Sequence, residues 1–327
     1  MADGGYIVEG HSNGKVDFGN GVVVECSSDW NGLLIRYSAT GEVEWAKKID
    51  GYLPITSISK TKDNGFIVSG QFESSLDLGN GETLKGISGY DGFIIKYDGN
   101  GNVKWAKAVG GVNEDKINCI ITDKEGNYWA VGYFYSGSVD LGDGIGLSKN
   151  GSAAGMVIKY NPDGKCLAAQ SLGGNGEQVI LNSVAIDEQK NIIVSGKSTM
   201  PLTINIKETS TSKQINIGIV VKFEESSTVG ASILEATKLE TNNLNSVTEV
   251  DKTSDGGSVA VGNFSSATMN FGEIELKKYG VTTSVTDGYI AKYNENNVIE
   301  WVKNIGGDEE VKFLAVEETH DNGYVVA

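Results

Sequence analysis

The stretch DNGFIVSG, residues 63–70, decides the fold, because close copies of it recur along the whole chain. The copies read DGGYIVEG, EGNYWAVG, QKNIIVSG, DGGSVAVG and, at the C-terminus, DNGYVVA. The shared glycines are separated by 60, 62, 64 and 66 residues and are Gly10, Gly70, Gly132, Gly196 and Gly262. A repeat of this length corresponds to one supersecondary unit, either stacked in an array or closed into a ring.

Residues 54–111 show the pattern of one repeat most clearly. Alternating ITSISKT predicts a half-buried strand A, and KDNG predicts a tight hairpin, because its central residues tolerate positive φ. FIVSGQF then predicts strand B, GFIIKYD strand C and VKWAKAVGG strand D, with a long crossing between B and C. No window has a helical period. Each repeat is therefore predicted to be a four-stranded antiparallel meander.

Five such units in a row predict an all-β fold, a β-propeller of four-stranded antiparallel blades in a single domain. The predicted blades are residues 1–49 plus 311–327, 52–111, 112–174, 177–240 and 243–307. The first blade begins at strand B, so we expect the C-terminal strand A (residues 311–323) to complete it and close a five-bladed ring without exposed sheet edges. The alternative is a larger ring cut from a longer protein, since the chain starts and stops inside one repeat element.

The overall charge limits the classes of molecule that the chain is expected to bind. The chain has 27 basic and 43 acidic residues, a net charge of -16, which disfavours binding to nucleic acid and to anionic membranes. No apolar run approaches the roughly 18 residues of a membrane span, and the N-terminus lacks a secretion-signal pattern.

The three cysteines occupy unrelated repeat positions, at Cys26, Cys119 and Cys166. Neither a disulfide framework nor a zinc site is therefore predicted. We expect a monomer.

Two segments carry a family resemblance. WAKAVGGVNEDKINCIITDKEGNYWAVGYF (residues 105–134) and YDGFIIKYDGNG (residues 90–101) resemble the bacterial β-propeller repeats known as SBBP. The fourth repeat departs most from this pattern, because it lacks both the Trp and the Gly-Asn-Gly turn. The resemblance implies a propeller in a secreted or cell-surface protein and implies no chemistry, because the pattern describes a scaffold.

Two residue types recur at fixed positions of the repeat, the first in all five repeats and the second in three of them. A cation on strand C alternates with apolar neighbours, so we expect its stem to pack and its head to reach solvent or a carboxylate; its copies are Arg36, Lys96, Lys159, Lys222 and Lys292. Trp45, Trp105 and Trp301 share one position on strand D, where we expect packing anchors between blades.

The loops hold the candidate binding residues. Aromatic residues without a strand role lie in or beside the B-to-C crossings, and they are Trp30, Tyr90, Tyr133, Tyr135 and Tyr279. They would either bind sugars or proteins or cover the sheet edge. The D-to-A loops are acidic, with Glu114, Asp115 and Glu309 among them, and form either a solvated rim or a site for a cation or a basic partner. His11 follows the repeat glycine at a variable position that could line the same face.

Calcium is a weak alternative at VDFGNG, LDLGNG and VDLGDG. Each motif offers two carboxylate or amide side chains, whereas Ca²⁺ needs roughly six to eight oxygens. A hairpin turn explains these motifs more simply, so no cofactor is predicted.

Three functions stay open on sequence alone. A non-catalytic module would bind a carbohydrate or a protein through variable loops on a repeated scaffold. A glycoside hydrolase would need a solitary pair of carboxylates, whereas the loop acids here recur with the repeat. A structural spacer would bind nothing. The histidines, His11 and His320, lack the sequence context of a nucleophile's partner. We favour the binding module.

Overall fold

A computed structural model of the chain describes eleven segments. They are residues 3–26, 31–49, 55–78, 80–149, 151–174, 176–187, 189–205, 212–223, 233–239, 246–279 and 285–327. Their regular structure consists of 27 β-strands. By its contacts the chain divides into two compact units. Unit 1 is Met1–Ser148 with Ile158–Leu167, and unit 2 is Lys149–Val157 with Ala168–Ala327.

The first repeat forms a three-stranded sheet and a small hairpin. Its strands are β1 (Tyr6–Ser12), β2 (Lys15–Asp17), β3 (Val23–Glu25), β4 (Asn31–Tyr37) and β5 (Val43–Ile49). β1, β4 and β5 pair in that order, and β2 pairs with β3 within the B-to-C crossing. This sheet therefore contains strands B, C and D of the repeat.

The second repeat is a complete antiparallel sheet. Its strands pair in chain order and are β6 (Ile55–Lys60), β7 (Phe66–Asp77), β8 (Thr83–Tyr97) and β9 (Val103–Val109). β7 and β8 extend beyond the sheet as a long hairpin, so the crossing from B to C is itself largely strand.

The third repeat has the same plan. Its strands are β10 (Asp115–Thr122), β11 (Tyr128–Phe134), β12 (Ser138–Asp140), β13 (Gly146–Ser148), β14 (Ala154–Tyr160) and β15 (Cys166–Gly173). β10, β11, β14 and β15 pair in that order, and β12 pairs with β13.

The fourth and fifth repeats are also four-stranded. The fourth comprises β16 (Val179–Ile186), β17 (Ile192–Asn205), β18 (Ser212–Phe223) and β19 (Ile233–Leu239), paired in chain order. The fifth comprises β20 (Ser246–Lys252), β21 (Ser258–Phe264), β22 (Thr268–Phe271), β23 (Ile274–Lys277), β24 (Asp287–Tyr293) and β25 (Ile299–Ile305). β20, β21, β24 and β25 form its sheet.

The all-β prediction and the four-stranded antiparallel blade are confirmed, with four complete blades. The predicted completion of the first blade by the C-terminal strand A is not confirmed. That strand, β26 (Val316–Glu318), pairs with the copy of strand B that follows it, β27 (Tyr324–Val326). The pairing is local, because Asp321–Gly323 provides the same tight turn that joins A to B in the other repeats.

The recurring cation of strand C has the structural role expected for it. Lys96 is 6% exposed and donates to Asp63 Oδ2 at 2.5 Å, and Lys292 is 2% exposed and contacts Asp255 Oδ2 at 2.9 Å. Arg36 pairs with Asp3 in the same way. Asp63 and Asp255 belong to the A-to-B turn, and Asp3 precedes strand B at the equivalent repeat position, so the ion pair recurs in three repeats. In the third repeat, Lys159 is 6% exposed and lies over the Trp129 ring at 4.8 Å. The side chain of Lys222 lies outside the described residues.

The recurring Trp is confirmed as a packing anchor between neighbouring repeats. The ring of Trp45 lies on the C-to-D turn at Gly101, where an added Cβ would be 2.9 Å from it. Trp105 lies on the equivalent turn at Gly164, and its indole N–H donates to the carbonyl of Pro162 at 3.0 Å. Both glycines have positive φ, 72° and 81°, so glycine serves the turn and also makes room for the ring.

Candidate functional site

One surface of unit 1 combines exposed apolar side chains with aromatic side chains that are fixed by hydrogen bonds and ring contacts. We call this surface the loop-face patch. It consists of Ile87, Val112, Glu114, Tyr133 and Tyr135. Ile87 lies on the β7–β8 hairpin and is 65% exposed, and Val112 lies on the D-to-A loop and is 66% exposed. Gly89 of the same hairpin lies against Asn113 of that loop. The two elements therefore meet at one end of the second and third sheets.

Glu114 connects the two tyrosines of the patch. The Tyr133 hydroxyl donates to Glu114 Oε1 at 2.7 Å, and the Tyr135 amide donates to the Glu114 carbonyl at 2.9 Å. The rings meet edge to face, with centroids 5.7 Å apart and planes at 86°. Burial and the Glu114 charge raise the pKa of the Tyr133 hydroxyl, so it stays a donor at neutral pH. The sequence-predicted residues Glu114, Tyr133 and Tyr135 are thus brought together.

Lys116 is a cation next to Tyr133 in the sheet. It lies opposite Tyr133 in the β10–β11 ladder and is half-buried. Burial lowers the pKa of the Lys116 ammonium, and the charge of Glu114 partly counteracts this.

The prediction of an exposed acidic rim is wrong for Asp115, which is fully buried. Its carboxylate accepts hydrogen bonds from the Gly111 amide at 2.8 Å and the Ser136 hydroxyl at 2.6 Å. It also accepts one from the Ser136 amide at 3.1 Å. Burial raises the pKa of this carboxyl despite these donors. Asp115 therefore fixes the D-to-A loop to the end of β11 and positions Glu114 next to it.

Asp91 is a second buried carboxylate that sequence reasoning missed. It is 1% exposed and accepts the Ile87 amide at 2.6 Å. A Cβ on Gly110 would lie 1.8 Å from its Oδ1, so the hairpin and the D-to-A loop can approach only because residue 110 is glycine. The signal was present in the sequence, since an Asp-Gly pair opens strand C at Asp91 and again at Asp287.

These carboxylates are engaged with their own loops. Glycoside hydrolysis needs two carboxyl groups that flank a sugar. Asp91 and Asp115 instead accept hydrogen bonds from backbone and hydroxyl groups of the loops that they hold. Their arrangement supports a structural role.

Unit 2 repeats the arrangement around Tyr279. Asp287 is fully buried, accepts the Tyr279 amide at 2.8 Å and lies against Gly306. Tyr279 is 64% exposed. Glu309, in the D-to-A loop beside Gly306, is exposed, and its neighbour Glu310 pairs with Lys312 at 2.9 Å. A buried Asp therefore brings an exposed aromatic and an acidic loop together in unit 2 as well.

The remaining predicted residues are dispersed. Tyr90 is half-buried in β8 opposite Glu73. His11 is exposed in β1 opposite Gly32. Trp30 lies outside the described residues.

In two other repeats, the residue at the position of His11 makes hydrogen bonds that connect neighbouring parts of the structure. In unit 1, Gln71 donates to Glu114 Oε1 at 3.3 Å. In unit 2, Asn263 Oδ1 accepts the Phe313 amide at 2.8 Å. The residue after the repeat glycine thus ties strand B to the segment that leads into the next repeat.

The motifs considered for calcium form turns. Asp17 accepts the Gly19 amide and Asp140 accepts the Gly142 amide, both at 2.9 Å. In the part of the chain that the structure describes, no group of three or more His, Cys, Asp or Glu side chains could hold a metal ion. The described segments also contain no helix long and apolar enough to cross a membrane.

The fold and the site define a repeat protein of propeller-type blades that presents a structured loop face. No protein-family model matches the chain, and the resemblance to SBBP repeats is not confirmed. The chain is 25% identical over 312 residues to an uncharacterised WD repeat-containing protein of Acanthamoeba polyphaga mimivirus. This match covers 80% of the chain and 22% of that curated relative, so the chain spans about a fifth of the relative's length.

The solved structures that match the chain do so with low similarity. The WD40 domain of Neurospora crassa Pan2 has a TM-score of 0.45 and 11% identity, over 95% of this chain and 69% of that one. A protein of unknown function from Bacteroides caccae has a TM-score of 0.40 and 10% identity, over 84% and 90%. Sqt1 from Chaetomium thermophilum has a TM-score of 0.34 and 10% identity, over 95% and 87%.

Proposed function

We propose that this chain is a non-catalytic interaction module that binds a protein through the loop-face patch. The observation that carries the proposal is that two exposed apolar side chains, Ile87 and Val112, lie on the hairpin and the loop that meet at Asn113. The Asn113 side chain in turn donates to the Tyr135 carbonyl. Exposed apolar side chains next to ordered aromatic ones are typical of the centre of protein interfaces. The WD repeat-containing relative supports an interaction role without identifying a partner.

The chemistry of the patch specifies the kind of partner. Glu114 borders the aromatic pair, and the whole chain has a net charge of -16. The partner surface should therefore carry an apolar anchor surrounded by Lys or Arg, because charge complementarity speeds association and suppresses wrong partners. The tyrosines, fixed by Glu114 and Asp115, lose little freedom on binding.

The experiment is a comparative affinity purification from cells that produce the protein, followed by measurement on the purified partner. The bait variants are Ile87→Ser with Val112→Ser, Tyr133→Phe and the distant exposed control Lys124→Ala. A specific partner should bind the wild type and the control equally and should weaken about tenfold or more with the double change. Equal binding to all baits would remove the patch from the proposal.

Carbohydrate binding is a second candidate, favoured by Tyr279. Its ring is 64% exposed while its backbone amide is held by Asp287, and exposed aromatic rings stack on sugars. A glycan array probed with wild type and Tyr279→Ala, in calcium and in EDTA, tests it. Binding to one glycan class that is lost in the variant would support a lectin-like role, and no binding in either buffer would refute it.

We further propose a secreted or cell-surface protein. We also propose that its complete propeller has five blades, in which the strand A of residues 311–323 exchanges its partner β27 for β1 and so completes the first blade. The support is the pattern of the repeats, including the resemblance to SBBP repeats, and a first sheet that contains only strands B to D. Protease treatment of intact cells tests the location, and electron-microscopy class averages viewed down the ring axis count the blades. Protection from protease, or a different blade number, would refute the respective proposal.

A further inference from the structure

Lys116, at the start of strand A in the third repeat, is a half-buried amine that does not follow from the repeat pattern. It precedes Ile117, which lies opposite the repeat glycine Gly132. The equivalent residues of the fourth and fifth repeats are Ile180 and Ser246, which carry no charge. The blade therefore does not require a cation at this position, and Lys116 is a candidate for a function of its own.

The last copy of strand A contains a lysine that matches Lys116 in sequence. Lys312 has the same spacing from its A-to-B turn, and each lysine follows a glutamate by two residues, Glu114 in one case and Glu310 in the other. The Lys312 side chain is 53% exposed and pairs with Glu310 at 2.9 Å. Among the described residues, the Lys116 ammonium has no ion pair or hydrogen bond. The two lysines thus share their local sequence and differ in their surroundings.

The Glu114 carboxylate lies near Lys116 but is engaged by other donors. Its Oε1 accepts the Tyr133 hydroxyl at 2.7 Å and the side-chain amide of Gln71 at 3.3 Å. Lys116 lies directly opposite Tyr133 in the β10–β11 ladder, so the two side chains project from the same face of the sheet. Both side-chain hydrogen bonds of the Glu114 carboxylate in the described segments end on Oε1, which leaves Oε2 available as a proton acceptor.

Partial burial makes the Lys116 amine easier to deprotonate. Burial lowers the pKa of the ammonium, and the charge of Glu114 counteracts this only in part. A lower pKa increases the fraction of neutral amine at neutral pH, and the neutral amine is the nucleophilic form. Lysines with a lowered pKa are the ones that proteins use for covalent chemistry. Because Lys116 is only half-buried, a small electrophile can also reach it.

We propose that Lys116 is a site of covalent acylation by thioesters, with Glu114 as the acceptor of the amine proton. The amine nitrogen attacks the acyl carbon, an N–C bond forms, the C–S bond breaks, and the thiolate leaves with the electron pair. The amine proton passes to Glu114 and from there to the thiolate. Neutral thioesters suit this site better than acyl phosphates, because the net charge of -16 repels anions. This inference does not rest on the protein-binding role of the loop-face patch.

The test is acetylation of the folded full chain by a neutral thioester, S-acetyl-N-acetylcysteamine, with the product at each lysine quantified by peptide mass spectrometry. We expect Lys116 to react about tenfold faster than its matched control Lys312, because the ion pair with Glu310 keeps Lys312 protonated. In guanidinium chloride the two lysines should react at similar rates, because the difference arises from the fold. Equal rates in the folded chain, or a preference for Lys116 that persists after unfolding, would overturn the proposal.

Two variants separate the role of Glu114 as proton acceptor from its effect as a charge. Glu114→Gln removes a negative charge, which by itself would lower the pKa of Lys116 further and speed acylation. A reaction slowed about fivefold or more is therefore expected only if Glu114 accepts the proton.

Tyr133→Phe keeps the ring but frees Glu114 Oε1 to pair with Lys116, as Glu310 pairs with Lys312, so it should also slow acylation of Lys116. The rate at Lys312 should stay unchanged in both variants, which serves as the control for an intact fold. An unchanged or faster reaction at Lys116 in either variant would overturn the proposal.

Discussion

The Asp63–Lys96 pair should respond asymmetrically to removal of its two members. The Lys96 side chain is 7% exposed and the Asp63 side chain 54%. Asp63→Asn keeps the turn's hydrogen-bonding shape but leaves a buried ammonium without its carboxylate, which we expect to cost about 1–2 kcal/mol. Lys96→Met replaces the buried stem with an apolar one of similar volume and leaves a solvated aspartate, so it should cost less than about 1 kcal/mol.

Urea unfolding followed by tryptophan fluorescence measures both changes, since Trp45 and Trp105 lie in the same unit. In thermal unfolding of a unit of this size, Asp63→Asn should lower the Tm by about 2–8 °C. The double variant should be about as stable as Lys96→Met alone, because the carboxylate matters only while the ammonium is present. If Lys96→Met destabilised as much as Asp63→Asn, or if the two costs simply added, the repeated ion pair would not have the role assigned to it.

Three further predictions concern stability. Gly164→Ala should destabilise by about 1–3 kcal/mol in urea unfolding, since φ is 81° and the added Cβ would lie 2.9 Å from the Trp105 ring, whereas Gly137→Ala, with open space around it, should be better tolerated. Trp105→Phe should cost about 1–2 kcal/mol through lost packing and the lost bond to Pro162, and a smaller cost than for Val298→Ala, an exposed control, would contradict the anchor role. The third prediction concerns stability in acid. Partial burial alone would raise the pKa of the Asp255 carboxyl. Hydrogen bonds from Thr253, Lys292 and Gly257 outweigh this effect and lower the pKa from 3.8 to about 2. A carboxyl whose pKa is lowered in the folded state stabilises that state above about pH 4, and this stabilisation is lost as the pH falls towards 2. The full pKa shift corresponds to about 2.4 kcal/mol of folding stability. Because 54% of the Asp255 side chain is exposed, we expect the protein to lose only about 1 kcal/mol of stability through this carboxyl between pH 5 and pH 2.5. This loss should be absent in Asp255→Asn.

The sequence was sufficient for the features that recur locally. Strands A to D follow from period-2 alternation and the Asp-Asn-Gly turns, and the cation and Trp positions follow from repetition. The buried state of Asp115 could not be predicted in this way, because Ser136, which supplies two of its hydrogen bonds, follows the next strand. A run of Glu and Asp in a loop looks the same in sequence whether it is solvated or buried.

Strand pairing at the chain ends is also beyond pattern reasoning. The sequence identified β26 and β27 as copies of strands A and B, but two copies of strand B competed for one place beside β26. Which copy pairs depends on loop closure, and the local hairpin needs to close only a short turn. Ile87 and Val112 were not predicted because isolated apolar residues in crossings and loops are common. Their exposure on the hairpin and the loop that meet at Asn113 makes them candidates.

The interaction role is tested most directly by site-specific photo-crosslinking in cells that produce the protein. A benzophenone side chain placed at Val112 should capture one discrete protein, and the capture should disappear when Ile87→Ser is added. The same probe at Lys124, in a turn between strands A and B, should not capture that protein. Identical products at both positions, or no product at Val112 while the protein remains folded, would contradict the account.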